Sequence, residues 1–502
     1  MQTSTLRNRY ITDLPAGGYR ECRPEPAVAP ALLLRNNELA EELGIDPEWL
    51  DGDAAARLWS GTELPAQAVP IALAYAGHQF GQPVPCLGDG RAVIIGQLTD
   101  RAGRHRDLQL KGCGPTPFSR GGDGRAALGP VLREFIVSEA MHALGIPTTR
   151  ALMAATTGET VYRQFGPESG AVLTRVAASH LRFGSLEYYA HRGDTQGIQR
   201  LADMAIDWHY PALSAEPAPE RYRTLLRAVV TRTVPLINAW LRVGFIHGVM
   251  NTDNMTLSGE TLDYGPCAFM DQFRPDRVYS AVDRTGRYAW NQQPRMAHWN
   301  LARLAECLLP LLDEDENTAI DVAEEILGEY PDLFSAGHNH MLARKLGLAG
   351  AAPDPQSTGD ADGALGERFL ALMARHATDF TNTWRELMQG PPGETAQRNR
   401  MRAWFGDDET VVAWMADYTS LLEDRAIDEA TRVRHMADAN PVVIPRNHRI
   451  EAALEAARAG ELAPVRRLIE ALRSPYGSAD SFPELTLPPA PDEIVPASFC
   501  GT

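Results

Sequence analysis

The chain has 502 residues, 44% hydrophobic and 23% charged, and its 65 acidic against 48 basic residues give a formal net charge of -17. That length supports a large buried core in roughly two to four domains. The acidic balance opposes non-specific binding to nucleic acid or an anionic membrane, so neither is expected as a partner. No apolar run approaches a membrane-spanning length, residues 1–20 lack a signal-like core, and the six cysteines make no CxxC pair. A reducing, cytoplasmic setting without targeting segment, disulfide scaffold or zinc site is therefore expected.

In chain order, residues 1–65 read as a mixed N-terminal extension with one short helix at 37–43, ending at Gly44. Residues 66–180 read as a β-rich lobe. The tight turn Leu87-Gly88-Asp89-Gly90-Arg91 precedes an apolar run at 92–98, and an alternating run at 107–111 follows a polar turn, as in a hairpin. A helical period over 126–144 is closed by Gly145, and strand-like runs follow near 160–163 and 171–176. This order of strands, one helix and two strands resembles a protein-kinase small lobe. Helical patterns dominate 181–345, the expected large lobe, interrupted by a polar loop region at 245–272. A Gly-, Ala-, Pro- and Asp-rich stretch at 346–364 reads as a flexible connection. Residues 365–473 read as a helical C-terminal region and 474–502 as an extended tail. The expected fold class is α+β, a protein-kinase-like bilobal fold with N-terminal and helical C-terminal extensions.

The polar loop carries the strongest signal. It reads His247-Gly248-Val249-Met250-Asn251-Thr252-Asp253-Asn254, and Asp263-Tyr264-Gly265 begins nine residues later. Kinases run H-R-D, then Asn, then D-F-G, in the same order. Asn254 and Asp263 supply an amide oxygen and a carboxylate, donors suited to Mg²⁺, with Mn²⁺ as the alternative. Val249 stands where the kinase catalytic Asp would be and accepts no proton. Asp253 is the neighbouring carboxylate that serves either as a base or in support of the metal ligands.

Other candidates are weaker singly. The Gly88/Gly90 turn suits a phosphate approach or a plain hairpin turn. Lys111 ends its strand where a kinase lysine pairs with a helix Glu; Glu134 is the natural partner and Glu139 its competitor. The loop Ser119-Arg120-Gly121-Gly122-Asp123-Gly124-Arg125 suits an anion site or a surface loop. Arg175 and Arg182 suit phosphate or a structural ion pair equally. His78 and His298-Trp299 read as core or capping residues.

Several longer motifs then fall in one order: YAGHQFG at 75–81, LGDGR at 87–91, QLKGCGPTPFSRGGDGRA at 109–126, REF at 133–135, HGVMNTDNM at 247–255, DYGP at 263–266 and NPVVIPRNH at 440–448, with Cys500 near the end. Over most of its length the chain resembles the selenoprotein O (SelO) family of protein adenylyltransferases. The resemblance implies a kinase-like pseudokinase fold. It also implies transfer of AMP from ATP to Ser, Thr or Tyr hydroxyls of proteins, the enzyme itself among the acceptors. In that family ATP is inverted relative to kinases, with its γ-phosphate deep among basic side chains. By motif, Gly88, Gly90, Arg91, Lys111, Asp123, Gly124, Arg175 and Arg182 would bind nucleotide and Glu134 would pair with Lys111. Asn254 and Asp263 would hold Mg²⁺, and Asp253 would accept the proton. The family ends in selenocysteine or cysteine followed by two serines, whereas this chain ends Cys500-Gly501-Thr502. Some bacterial relatives bond that cysteine to one in the activation segment, where Cys267 is the residue available here. Pairing of Cys500 with Cys267, with an outside thiol, or with nothing stays open. Two other classes stand beside the leading one: a phosphotransferase using Asp253, and a scaffold that binds ATP without consuming it. A monomer is favoured.

Overall fold

The computed structural model describes residues 6–163, 166–351 and 360–498. In chain order its strands are β1 (Tyr19–Glu21), β2 (Ala31–Arg35), β3 (Ile71–Leu73), β4 (Gly77–Gln79), β5 (Gln82–Val84), β6 (Ala92–Thr99), β7 (His105–Lys111), β8 (Ala126–Ala127), β9 (Arg150–Arg163), β10 (Gly166–Ala177), β11 (Phe245–Ile246) and β12 (Ala268–Phe269). One sheet runs β1-β3-β6-β7-β10-β9-β2, with β8 added on β10, and its pairings are antiparallel. β4 and β5 form a separate hairpin, and β11 pairs with β12.

The expected β6–β7 hairpin is present, and nearly all of β6 is buried. A half-buried strand would alternate; this one is apolar throughout because both faces of the sheet are covered. The helix Leu128–Ala143 lays Leu132, Phe135 and Ile136 against the face carrying Ile94. The helices Asn37–Glu42 and Gly52–Trp59 pack Leu39, Leu58 and Trp59 against the face carrying Val93 and Ile95. The segment read as an N-terminal extension thus supplies the second cover of the sheet and, through β1 and β2, two of its strands. Asn36 caps the first of these helices by accepting from Leu39 N at 3.1 Å, and Gly44 ends it at φ +68°.

β9 and β10 are longer than their sequence signals. The run Ala151-Leu152-Met153-Ala154-Ala155-Thr156-Thr157 has neither alternation nor many β-branched residues, yet it is strand, because β2 and β10 pair with it on either side. The helical part carries Phe183–Ala190, Thr195–His209, Glu220–Arg242, Gln293–Leu312, Glu316–Gly328 and Tyr330–Lys345. His298, read as structural, stacks on Tyr330 at 4.9 Å between ring centroids. Of the stretch read as a flexible connection, Leu346 and Leu348 are buried, 352–359 lies outside the described residues, and 360–364 opens the helix Asp360–His376. Helices continue through Ala463–Leu472 to a short one at Pro483–Thr486, inside the stretch read as an extended tail, and among the described residues none is long and apolar enough to cross a membrane.

The C-terminal region grips the loops that follow β12. Buried Arg446 donates to Asp271 Oδ1 at 2.6 Å and to both oxygens of Asp379, at 2.8 and 3.0 Å. Asn447 donates to the Phe269 carbonyl at 3.1 Å. Further along, the Ser498 hydroxyl donates to the Pro266 carbonyl at 2.6 Å and its N–H to Tyr279 O at 2.7 Å. Replacing Arg446 with Met leaves two buried carboxylates facing each other. The expected loss is about 3–5 kcal/mol of stability, read from urea denaturation; a loss under about 1 kcal/mol, the range of an exposed pair, would contradict this account.

Candidate active site

A cavity of about 670 Å³ opens between the sheet and the loop that follows β11. Strand geometry loads its floor. Arg175 of β10 stands opposite Gln109 of β7, and Lys111 lies two residues beyond Gln109, so the period-2 alternation turns all three to one face. The helix Leu128–Ala143 brings Glu134 to that face. Lys111 Nζ donates to Glu134 Oε2 at 2.7 Å, and Arg175 Nε donates to Glu134 Oε1 at 2.9 Å. Glu139 points elsewhere and takes Arg150 Nε at 2.9 Å and Asn36 Nδ2 at 2.6 Å.

Asp263 closes the floor from the other side. Its backbone has φ +65°, an uncommon conformation for a residue with a side chain. Its Oδ1 accepts from Lys111 Nζ and from Arg175 Nη2, each at 2.6 Å, and its Oδ2 accepts from Arg182 Nη1 at 3.1 Å. Burial opposes ionisation of both carboxyls. At Asp263 the fields of Arg175, Lys111 and Arg182 outweigh burial and hold the pKa well below the usual carboxylate range. At Glu134, Arg175 and Lys111 do the same more weakly. Arg182 lies with its guanidinium 4.4 Å from the centre of the Tyr75 ring and its Nη2 3.6 Å from the buried Asp89.

The loop itself is a 3₁₀ turn over Thr252–Asn254. Arg182 Nη1 also donates to the Asp253 carbonyl at 2.6 Å, tying this turn to Asp263. Asn254 Nδ2 donates to Val249 O at 2.9 Å, which leaves its Oδ1 as the acceptor on offer. His247 Nε2 donates to Leu262 O at 3.0 Å, and the Tyr264 hydroxyl meets that of Thr148, fixing the two loops against their neighbours. Burial pushes the Asp253 carboxyl up to about 7, partly countered by Arg182. Among the described residues no three His, Cys, Asp or Glu side chains gather as a metal-sized group.

Eleven of the residues singled out in the sequence line this one cavity: Gly88, Gly90, Arg91, Lys111, Asp123, Gly124, Arg175, Arg182, Asp253, Asn254 and Asp263. Glu134 stands behind Lys111 and Arg175. The Gly88 N–H is engaged by the Tyr75 carbonyl at 3.2 Å, and its φ of +71° beside Phe118 leaves no room for a side chain. Asp123 pairs with Arg163 at 2.8 Å. Cys267 is buried, and Cys500 lies outside the described residues. Sequence reasoning missed the contribution of the β4–β5 hairpin. His78 had read as core or cap, but its Nδ1 lies 3.0 Å from Glu187 Oε1 and its N–H donates to Thr252 Oγ1 at 2.8 Å. Gln79 Nε2 donates to Asp253 Oδ1 at 2.8 Å. The only signal in the sequence was two polar residues set among small and aromatic ones in YAGHQFG.

Residues 7–473 match the family model described as protein adenylyltransferase SelO. The chain is 48% identical over 497 residues to a protein nucleotidyltransferase YdiU of Rhodopseudomonas palustris (strain BisB5), covering 99% of this chain and 98% of the relative. It is 49% identical over 498 residues to one from Bradyrhizobium diazoefficiens, covering 99% of each. It is 50% identical over 503 aligned positions to one from Cereibacter sphaeroides (strain KD131), covering the whole of both.

Behind the loop, Glu187 accepts from the Thr252 hydroxyl at 2.9 Å, and burial pushes its carboxyl from 4.5 up to about 7. The folded chain therefore keeps a proton that the unfolded chain releases, and stability falls as pH rises from about 4.5 to about 7, then levels. Glu187→Gln is expected to lose about 3 kcal/mol less than the wild type across that window, read from urea midpoints at its two ends. Parallel curves would show that Glu187 is ionised in the fold.

Proposed function

The chain belongs to the SelO family of protein adenylyltransferases, and from that premise we propose that it moves AMP from an inverted, Mg²⁺-bound ATP onto Ser, Thr or Tyr hydroxyls of proteins, itself among them. Nucleotidyl transfer, with ATP as the adenylyl donor, follows from the family. The finer reading is carried by one observation. Three cations (Lys111, Arg175 and Arg182) converge on the cavity floor and, among the described residues, share only Glu134 and Asp263 between them, besides the more distant Asp89. A neutral adenine offers a buried guanidinium only uncharged acceptors and a ring face, whereas phosphate oxygens accept bidentate, charge-assisted hydrogen bonds. The γ- and β-phosphates therefore belong on this floor, and the α-phosphate faces the Asp253 side.

In the reaction the acceptor hydroxyl gives its proton to the Asp253 carboxylate, and its oxygen bonds to the α-phosphorus. The bond from that phosphorus to the bridging oxygen breaks, and pyrophosphate leaves with the electron pair. Lys111, Arg175 and Arg182 stabilise the charge that gathers on it. Val249 leaves the usual kinase base position without a proton acceptor, which fits an acceptor hydroxyl placed elsewhere. Asn254 and Asp263 suit Mg²⁺, or Mn²⁺ in its place: Asn254 Oδ1 is on offer, and Asp263 Oδ2 has one charged donor against two on Oδ1. Bound there, the metal would neutralise phosphate charge. Gly88, Gly90, Arg91, Asp123 and Gly124 form the wall left for the nucleoside end.

With Mg²⁺ and ATP labelled at the α- or the γ-phosphate, label is expected on protein from the α position alone. Label from γ alone would make the chain a kinase, and ATP binding without label from either would make it a scaffold. Asp263→Ala is expected to cut transfer by about 10²–10³-fold or more; wild-type rates in that variant would overturn the metal assignment.

A further inference from the structure

The β4–β5 hairpin crosses to the turn that carries Asp253 and is fastened there residue by residue. A Cβ at Gly77 would collide with the Asp253 side chain, so only glycine lets the hairpin lie this close. His78 N–H donates to Thr252 Oγ1 at 2.8 Å, and Phe80 N–H donates to Asn251 Oδ1 at 3.0 Å. Phe80 holds φ +52° to do so. The Thr252 hydroxyl in turn donates a hydrogen bond to Glu187 Oε2 at 2.9 Å, beside His78, which closes a ring of polar contacts behind the turn. Between these two backbone ties, Gln79 Nε2 donates to Asp253 Oδ1 at 2.8 Å, and Gln79 lines the cavity.

We propose that Gln79 is a positioning residue for adenylyl transfer: its amide holds Asp253 Oδ1 and thereby turns Oδ2 toward the acceptor hydroxyl. The inference rests on the reading of Asp253 as proton acceptor. The hairpin does not need the Gln79 side chain as a fastening, since His78 and Phe80 already tie it through the backbone. What the amide adds is a fixed rotation of a terminal carboxylate, whose torsion is otherwise broad. Among the described residues Gln79 is the one side-chain hydrogen-bond donor to that carboxylate. Without it, the nearest strong attraction is the Arg182 guanidinium, already at the Asp253 carbonyl, and a carboxylate drawn there is turned from the acceptor. A base displaced by about 1 Å loses on the order of 10²-fold in rate.

The test uses the full chain, with Gln79→Leu and Gln79→Met, each alone and combined with Asp253→Asn. Melting temperature and ATP KM are followed beside kcat. Each single variant is expected to lose about 10–100-fold in kcat with ATP KM and melting temperature held near wild type. In the Asp253→Asn background, already nearly inactive, Gln79→Leu is expected to cost nothing more, because both changes act through one group. Wild-type kcat in Gln79→Met, which keeps the length and loses the donor, would overturn the proposal. So would an additive loss in the double variant, or a loss confined to KM or melting temperature. An active Asp253→Asn would instead overturn the base assignment, whatever Gln79 does.

Discussion

The arrangement hangs on the charge balance at Asp263. Lys111, Arg175 and Arg182 come from β7, from β10 and from the start of the Phe183–Ala190 helix, and all three end on its two oxygens. Taking each of these ions out of water costs several kcal/mol, so none is tolerable without its partners. That requirement makes the elements interdependent. The helix Leu128–Ala143 has to present Glu134 at the angle that completes Lys111 and Arg175. The loop after β11 has to accept an unfavourable φ at Asp263. Networks of this kind hold together as a set or fail as a set.

Arg182 extends the balance to the second loop. One nitrogen meets both the Asp263 carboxylate and the Asp253 carbonyl, while the guanidinium face rests on Tyr75. The separation of the two loops is thereby set by a planar, rigid group and not by the chain between them. A lysine would supply the charge without the flat face on Tyr75 or the second nitrogen toward Asp89.

The parts of this picture visible in the sequence are those written in local order. Asn254 and Asp263 stand out because a turn of fixed length separates them, and β6–β7 stands out because a polar turn divides two apolar runs. Glu134 reads as the natural partner of Lys111 with Glu139 as its competitor, since five residues along a helix turn a side chain to a different face, and the position of β7 decides which face matters. β9 was legible at one end only, because its first half is built from alanine, threonine and methionine, whose strand state comes from β2 and β10. The reach of His78 and Gln79 to Thr252 and Asp253 spans 174 residues; nothing in YAGHQFG names the loop it will meet. The N-terminal segment looked like an addition because its strands are three and five residues long, and only pairing with β3 and β9 makes them part of the sheet.

The grip of Arg446 on Asp271 and Asp379 bears on how far this chain can be divided. Asp271 follows β12 directly, and Asp379 opens the helix Phe380–Met388. The cation that reconciles them is contributed from far downstream, beside Asn447 with its hold on Phe269. A fragment cut before the Pro445-Arg446-Asn447 stretch would contain every residue of the cavity, yet its segment after β12 would carry two opposed carboxylates and an unanswered carbonyl. The smallest autonomous unit is therefore set by this distant clasp and not by the outline of the cavity.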